Sequence, residues 1–187
     1  QHERILDKRI DNPLPGEHCW ATDLGRTLRH AYRDSPHLER YAPALRAIFD
    51  SRPEFLLDLD LALLDFLREA FVIRTPMIRS SQLNVGGAKS ELILNLCRAV
   101  GADTYLAGMG GSRAYLDRAA FAKAGVAIAW QDFHHPRYAQ CGSGDFLPGL
   151  SAIDLLFSAG PRSRQLLADD APLAQPAVVA DAEFSYG

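Results

Sequence analysis

Two predicted helix starts carry groups that are suited to binding an anion such as a phosphate. One is a turn after a short apolar run, and it contains Gly108, Gly110, Gly111 and Ser112. Glycines let the backbone turn sharply and present several N–H groups to an anion. At the other start Ser90 can cap the helix, and Lys89 can pair with the same anion. The alternatives are a tight turn without a ligand and a solvated lysine, the default state of that residue.

A polar group at the end of an apolar run has the composition of an acid–base site. Asp132 lies near the end of residues 126–133, and His134 and His135 follow it. A carboxylate at the carboxyl end of a strand in a parallel sheet is well placed to touch a ligand. Histidine titrates near neutrality and can transfer a proton during catalysis. The alternative is a structural aspartate that holds the next loop by hydrogen bonds.

The sequence predicts no metal site and identifies no cofactor. Cys19, Cys97 and Cys141 are far apart, and neither they nor the histidines have the spacing of metal ligands. Cys97 falls on an apolar helix face and is predicted to lie in the core. The glycine turn also departs from the dinucleotide-binding fingerprint, because its third glycine is misplaced.

The composition is that of an ordinary globular domain. The 187 residues are 48% hydrophobic and carry a formal charge of −3. Nucleic-acid binding usually requires a basic patch, so we expect no nucleic-acid partner. No apolar run reaches the ~20 residues of a membrane-spanning helix, and no signal peptide opens the chain. We therefore expect a cytoplasmic protein without membrane insertion that acts on a small molecule, with homo-oligomerisation left open.

The first part of the chain, about residues 20–72, is predicted to be helical. Apolar residues at helical spacing predict a first helix over residues 22–33. Ser35-Pro36 is typical of a second helix start, and Pro43 is expected to break or restart that helix. Apolar residues crowd more than one face of residues 55–71, which predicts a largely buried third helix. The first helix also has a basic face, more often solvated than functional, formed by Arg26, Arg29, His30 and Arg33.

The middle of the chain, about residues 73–160, alternates strands with helices. Strands are predicted over residues 75–81, 105–107 and 126–133, and helices over residues 90–100 and 113–123. This order with short links predicts an α/β fold with a Rossmann-like, three-layer parallel sheet. One domain over residues 1–167 and a flexible tail over residues 168–187 are expected. The strand ends and the Lys89 helix start are expected to open into one cleft.

The sequence resembles the WbqC-like family of bacterial proteins. The matching segments are Lys89-Ser90-Glu91, residues 101–108, Tyr115-Leu116-Asp117, Trp130-Gln131-Asp132-Phe133-His134-His135-Pro136 with Tyr138 and Gln140, and residues 146–157. Gly149 stands where the family commonly has asparagine. Family members usually begin with a segment of the type Gln-Pro-x-Phe-Phe-Pro, so an amino-terminal segment is expected to be missing here.

The resemblance implies work on nucleotide-linked sugars in the biosynthesis of O-antigen and other surface polysaccharides. The expected activity is that of a transferase or ligase that modifies a nucleotide-linked amino sugar. Asp132 and His135 are then expected to transfer protons, since His135 and not His134 matches the motif. Phosphate or substrate binding is expected of Lys89, Ser90, Gly108, Gly110, Gly111, Ser112, Tyr115, Gln131, Tyr138 and Gln140. The alternative is a non-catalytic binding or assembly subunit of a polysaccharide-synthesis complex.

Overall fold

The computed structural model describes residues 5–10, 19–108, 110–142 and 144–169, without the side chains of Ser112 and Arg113. The predicted tail lies outside these ranges from residue 170 onward. The described chain divides into two compact units. Unit 1 contains residues 5–75 and 135–169, and unit 2 contains residues 76–134. None of the helices in the described ranges has the length and apolar content needed to cross a lipid bilayer.

Unit 1 begins with the three predicted helices, α1 (Trp20–Ala31), α2 (Leu38–Asp50) and α3 (Leu56–Ala70). The prediction of a helical first part is confirmed. The predicted break at Pro43 is wrong, because α2 runs through this proline. Proline removes one backbone hydrogen bond. Burial of neighbouring side chains of α2, including Leu45 at 3% exposure, offsets that loss.

The third helix is less buried than its sequence predicts. Leu59 is its buried residue, whereas Leu64 is 45% exposed. The other apolar side chains that pack on the core are only partly buried, and they are Leu56, Leu63, Phe66, Leu67 and Ala70. The apolar stripe of α3 is therefore wider than the surface that it packs against.

The core of unit 1 closes around α7 (Ala152–Ala159), which is followed by α8 (Ser163–Asp169). Leu156 and Phe157 are 0% and 1% exposed. The Tyr32 ring meets the Phe157 ring edge-on, with centroids 5.1 Å apart, a favourable aromatic geometry. The apolar face of α7 therefore lies in the core of unit 1.

Unit 2 is built around a two-stranded parallel sheet. Its elements are α4 (Lys89–Ala99), β1 (Thr104–Ala107), α5 (Ser112–Tyr115), α6 (Arg118–Lys123) and β2 (Ala127–Trp130). The strands pair in register from Thr104 with Ala127 to Ala107 with Trp130. Phe121 and Cys97 lie in the core that covers this sheet. The core position of Cys97 and the parallel pairing are therefore confirmed.

The predicted first strand is absent from unit 2. Residues 73–79 have no regular secondary structure, and Ser80–Gln82 form a 3-10 turn. Pro76 has no N–H to donate to a ladder, and Ile78 is 57% exposed. The structure is therefore α/β, but two strands do not make the predicted three-layer, Rossmann-like sheet.

The helix predicted over residues 113–123 is interrupted at Leu116 and Asp117. The Asp117 side chain accepts a hydrogen bond from the Ala120 N–H at 3.0 Å and so caps α6. Leu116 is 9% exposed and packs in the core of unit 2. The cap satisfies a backbone N–H at the start of α6, and the buried Leu116 side chain adds to the core. Both stabilise the interrupted form of this segment.

Candidate functional site

The carboxyl ends of β1 and β2 lie side by side in unit 2. Gly108 and Gln131 follow Ala107 and Trp130, which are register partners. The Gln131 N–H donates to the Ala107 carbonyl at 2.8 Å, so the pairing continues one residue past β2. Gly108, Gln131 and Asp132 therefore share one edge of the sheet, as predicted. The third predicted strand end, Ser80–Gln82, is not a strand end.

The start of α4 is joined to the segment that follows the glycine turn. The N-cap residue of α4 is Ala88, so the prediction that Ser90 caps this helix is wrong. The Ser90 Oγ instead accepts a hydrogen bond from the Asp117 N–H at 2.8 Å. This bond ties the Lys89 helix start to the link between α5 and α6. Lys89 is exposed and has a φ of 50°, a strained conformation for a residue with a side chain.

The glycine turn is open to solvent. Gly108, Gly110 and Gly111 are exposed, and a Cβ added at any of them would meet nothing within 4 Å. None of the three has a positive φ, so no left-handed backbone requires glycine here. The open space lets a ligand approach the backbone closely. Ser112 begins α5, whose four residues give only a small helix dipole.

Three aromatic residues and an arginine lie on or beside this sheet. Tyr115 is 43% exposed. Burial raises the pKa of Tyr105, whose ring centroid lies 5.9 Å from that of the Phe121 ring in the core. The Arg118 guanidinium lies 5.5 Å from the centroid of the Trp130 ring. Arg118 is not among the site residues predicted from the sequence.

Two predicted residues of unit 1, His135 and Tyr138, form an aromatic cluster with Phe146. The His135 ring stacks on Tyr138 with centroids 6.0 Å apart, and it meets Phe146 at 5.6 Å. The His135 Nδ1 lies 3.1 Å from the Pro136 carbonyl oxygen. A carbonyl oxygen only accepts, so Nδ1 carries the hydrogen and Nε2 is the basic nitrogen of the neutral ring. His135 therefore has the tautomer of a proton acceptor at Nε2.

Asp154 holds Tyr138 and Gln140 in place. Its side chain accepts from the Tyr138 hydroxyl at 2.6 Å and from the Gln140 amide at 3.1 Å. Gln140 also exchanges two hydrogen bonds of 2.8 Å with the Leu147 backbone. Asp154 is 3% exposed. Asp154 is not among the site residues predicted from the sequence, although an acidic residue within the apolar run 152–157 is an unusual feature.

The buried carboxylate also keeps two phenols protonated. Burial and the hydrogen bond to Asp154 raise the pKa of Tyr138 well above its ordinary value. Burial and the charge of Asp154 raise the pKa of Tyr32 to about 12. Both tyrosines are therefore hydrogen-bond donors at neutral pH and not bases.

The predicted site residues fall in both units. Unit 1 contains His135, Tyr138 and Gln140, and unit 2 contains the other nine. The catalytic pair of Asp132 and His135 is thus divided between the units, and its joint role stays a prediction. Within the described ranges, no three His, Cys, Asp or Glu side chains converge as a group that would hold a metal ion.

The basic face of α1 is neutralised by carboxylates. Arg26 pairs with Asp23 at 3.4 Å, and Arg29 pairs with Glu39 at 2.9 Å. The Arg33 side chain, which is 66% exposed, lies 3.2 Å from a carboxylate oxygen of the next residue. This arrangement supports the interpretation of a solvated face.

Cys19 is expected to be alkylated before Cys97. Cys19 precedes α1, where hydrogen bonds from the backbone of Thr22 and Ala21 lower the pKa of its thiol. Burial raises the pKa of the Cys97 thiol. The thiolate is the reactive form, so limiting iodoacetamide near neutral pH should label Cys19 first, as read by peptide mass spectrometry. Faster labelling of Cys97 in the folded protein would contradict this order.

Comparison with known proteins identifies the family that the motifs indicated. The sequence profile of the WbqC-like protein family matches residues 1–166. The uncharacterized protein Rv1507c of Mycobacterium tuberculosis is 27% identical over 167 residues, which are 89% of this chain and 70% of the relative. No solved structure is significantly similar to the chain. Because the profile covers most of the sequence, the chain belongs to the WbqC-like protein family.

Proposed function

We propose that this protein is a transferase or ligase that modifies a nucleotide-linked amino sugar in the biosynthesis of surface polysaccharides. The observation that carries the proposal is the parallel register of β1 and β2. It sets the open turn at Gly108 beside Gln131 and Asp132. Ligands of open parallel sheets bind at the carboxyl edge, where loops and helix starts converge.

The phosphates of the sugar nucleotide are assigned to the glycine turn and to Lys89. A diphosphate requires N–H donors and a cation. The exposed turn at Gly110 and Gly111 offers the donors, and the exposed lysine offers the charge. The hydrogen bond between Ser90 and Asp117 supports the assignment, because it ties the lysine-bearing helix to the segment that follows the turn.

The protons of the reaction are assigned to Asp132 and His135. An amine must lose a proton before or while it attacks an electrophile, so the site needs a base. Asp132 is exposed at the sheet edge, where it can accept this proton. For His135, which belongs to unit 1, a role in proton transfer is proposed separately, on the family motif alone.

A second candidate function is that of a binding or assembly subunit without catalysis. Met77 and Ile78 favour it, because they are 44% and 57% exposed and follow one another in a segment without regular structure. Adjacent exposed apolar side chains are a feature of protein-binding surfaces. Pull-down of a protein partner, together with no binding of any sugar nucleotide, would favour this function.

Replacing Lys89 by Met is expected to weaken sugar-nucleotide binding about tenfold, since a charge-assisted contact is lost. Isothermal titration against uridine, thymidine and guanosine sugar nucleotides measures the affinity. Methionine keeps the length of the side chain and leaves the backbone strain at position 89 unchanged.

The matched control for this variant is Lys123→Met. Lys123 is also exposed and lies in the last turn of α6, so its replacement should leave the affinity unchanged. Equal affinities of all three proteins for the tightest sugar nucleotide would remove Lys89 from the phosphate site. Absence of binding to the unmodified protein would contradict the proposed substrate class.

A further inference from the structure

Unit 1 contains a cavity of about 370 Å³, which is lined in part by Tyr138 and Phe146 of the aromatic cluster. This volume is at the small end of ligand pockets in proteins. Its polar lining includes the two carboxylates of Asp145 and Asp154, the Gln140 amide and the Tyr138 hydroxyl. No basic side chain is among the described residues that line it. The described lining therefore carries acidic side chains and no basic ones.

Asp154 supplies a buried charge at this cavity. It is 3% exposed, and in the described part of the chain it takes part in no ion pair. Its hydrogen-bond partners Tyr138 and Gln140 are neutral donors. A buried carboxylate without a cationic partner loses hydration that neutral hydrogen bonds replace only in part. A cation in the cavity would compensate that charge.

The aromatic wall of the cavity adds to this preference. Tyr138 and Phe146 both line it, and their rings meet edge-on with centroids 5.6 Å apart. The Arg137 guanidinium lies 5.1 Å from the centroid of the Phe146 ring, so this cluster already accommodates one cation. Aromatic faces attract organic ammonium ions electrostatically.

We propose that this cavity binds a small organic ammonium compound, a protonated primary amine of about monosaccharide size, with Asp154 as its counter-charge. Tyr138 and Gln140 already donate their side-chain hydrogens to Asp154 and Leu147, so their oxygens would accept hydrogen bonds from hydroxyl groups of the ligand. The inference stands on unit 1 alone and does not require the reaction proposed for the sheet edge of unit 2.

The proposal predicts that the protein distinguishes glucosamine from glucose, which differ chiefly in one amine. Isothermal titration at about pH 6.5, where the amine is protonated, should show glucosamine binding about tenfold or more tightly than glucose. Asp154→Asn should abolish this preference, because it removes the charge and nearly keeps the shape. Equal affinity for the two sugars, or binding of neither, would overturn the proposal.

The control variant is Asp58→Asn. Asp58 is the third residue of α3, as Asp154 is of α7, but its side chain is exposed and does not line the cavity. The Asp58→Asn variant should keep the preference for glucosamine over glucose. Loss of the preference in this control as well would show a general charge effect and overturn the assignment to Asp154.

A measurement on the unmodified protein covers the case in which Asp154→Asn does not fold. Cys141 lines the cavity, whereas Cys19 does not. Glucosamine should slow the alkylation of Cys141 by iodoacetamide several-fold more than glucose does, with Cys19 labelling unchanged as the internal reference. Equal labelling of Cys141 in both sugars would contradict an amine in the cavity.

Discussion

Replacing Asp132 by Asn is expected to lower the turnover of the proposed sugar-nucleotide substrate about 10²–10⁴-fold, the usual contribution of a general base. Asparagine has the size of aspartate and cannot accept the proton of an attacking amine. Asp132 is exposed just past β2, so the variant should fold normally. The effect should appear in kcat and not in the affinity for the sugar nucleotide, in contrast to Lys89→Met.

The matched control is Asp103→Asn at the opposite end of the sheet. Asp103 is exposed directly before β1, at the amino edge of the strand pair. Its replacement should leave kcat within about twofold, because surface substitutions away from a site have small effects. Steady-state kinetics, with circular dichroism as the check on folding, measures both variants. Unchanged kcat in Asp132→Asn would remove the catalytic role of this residue.

The helices α1 to α4 were predictable because their apolar spacing is a local property of the sequence. The strand predicted over residues 75–81 does not form, since a strand exists only when a partner accepts its ladder hydrogen bonds. Its apolar residues Met77 and Ile78 lie largely exposed. Without a paired strand, this segment has no reason to adopt the predicted sheet structure.

The two strand ends at Gly108 and Asp132 were predictable because they, like the helices, leave a local pattern in the sequence. Short apolar runs that end in polar residues predicted them, and the parallel register places them together. The network around Asp154 was not predictable, because it joins side chains 14 and 16 residues apart across an irregular loop. Such contacts depend on the path of the loop, which has no periodicity to reveal it.

Replacing Gly160 by Ala is expected to lower the free energy of unfolding by about 2–5 kcal/mol. Gly160 has a φ of 56° and a ψ of −129°, a backbone conformation essentially confined to glycine, which costs a residue with a Cβ at least the ~1–2 kcal/mol of the left-handed α region. An added Cβ would also lie 2.5–2.6 Å from three ring atoms of His37. Relief of such overlap by shifts of packed groups typically costs a further 1–3 kcal/mol or so.

Gly149→Ala separates the two costs. Gly149 is also in unit 1 and has a φ of 77°, but a Cβ there meets nothing within 4 Å. This variant should therefore lose only the backbone part, about 1–2 kcal/mol. Gly149→Asn should lose less, because asparagine tolerates this conformation better than alanine does. Urea denaturation followed by circular dichroism measures the three differences.

The double variant His37→Ala, Gly160→Ala tests the assigned clash directly. Removing the His37 ring leaves its backbone hydrogen bond to the Phe157 carbonyl available. In the His37→Ala background, Gly160→Ala should then cost clearly less than in the unmodified protein, because only the backbone part of the cost remains. The difference between the two backgrounds is the coupling energy of the contact. If Gly160→Ala costs the same with and without the ring, the clash is not the cause, and the loss must come from the backbone alone.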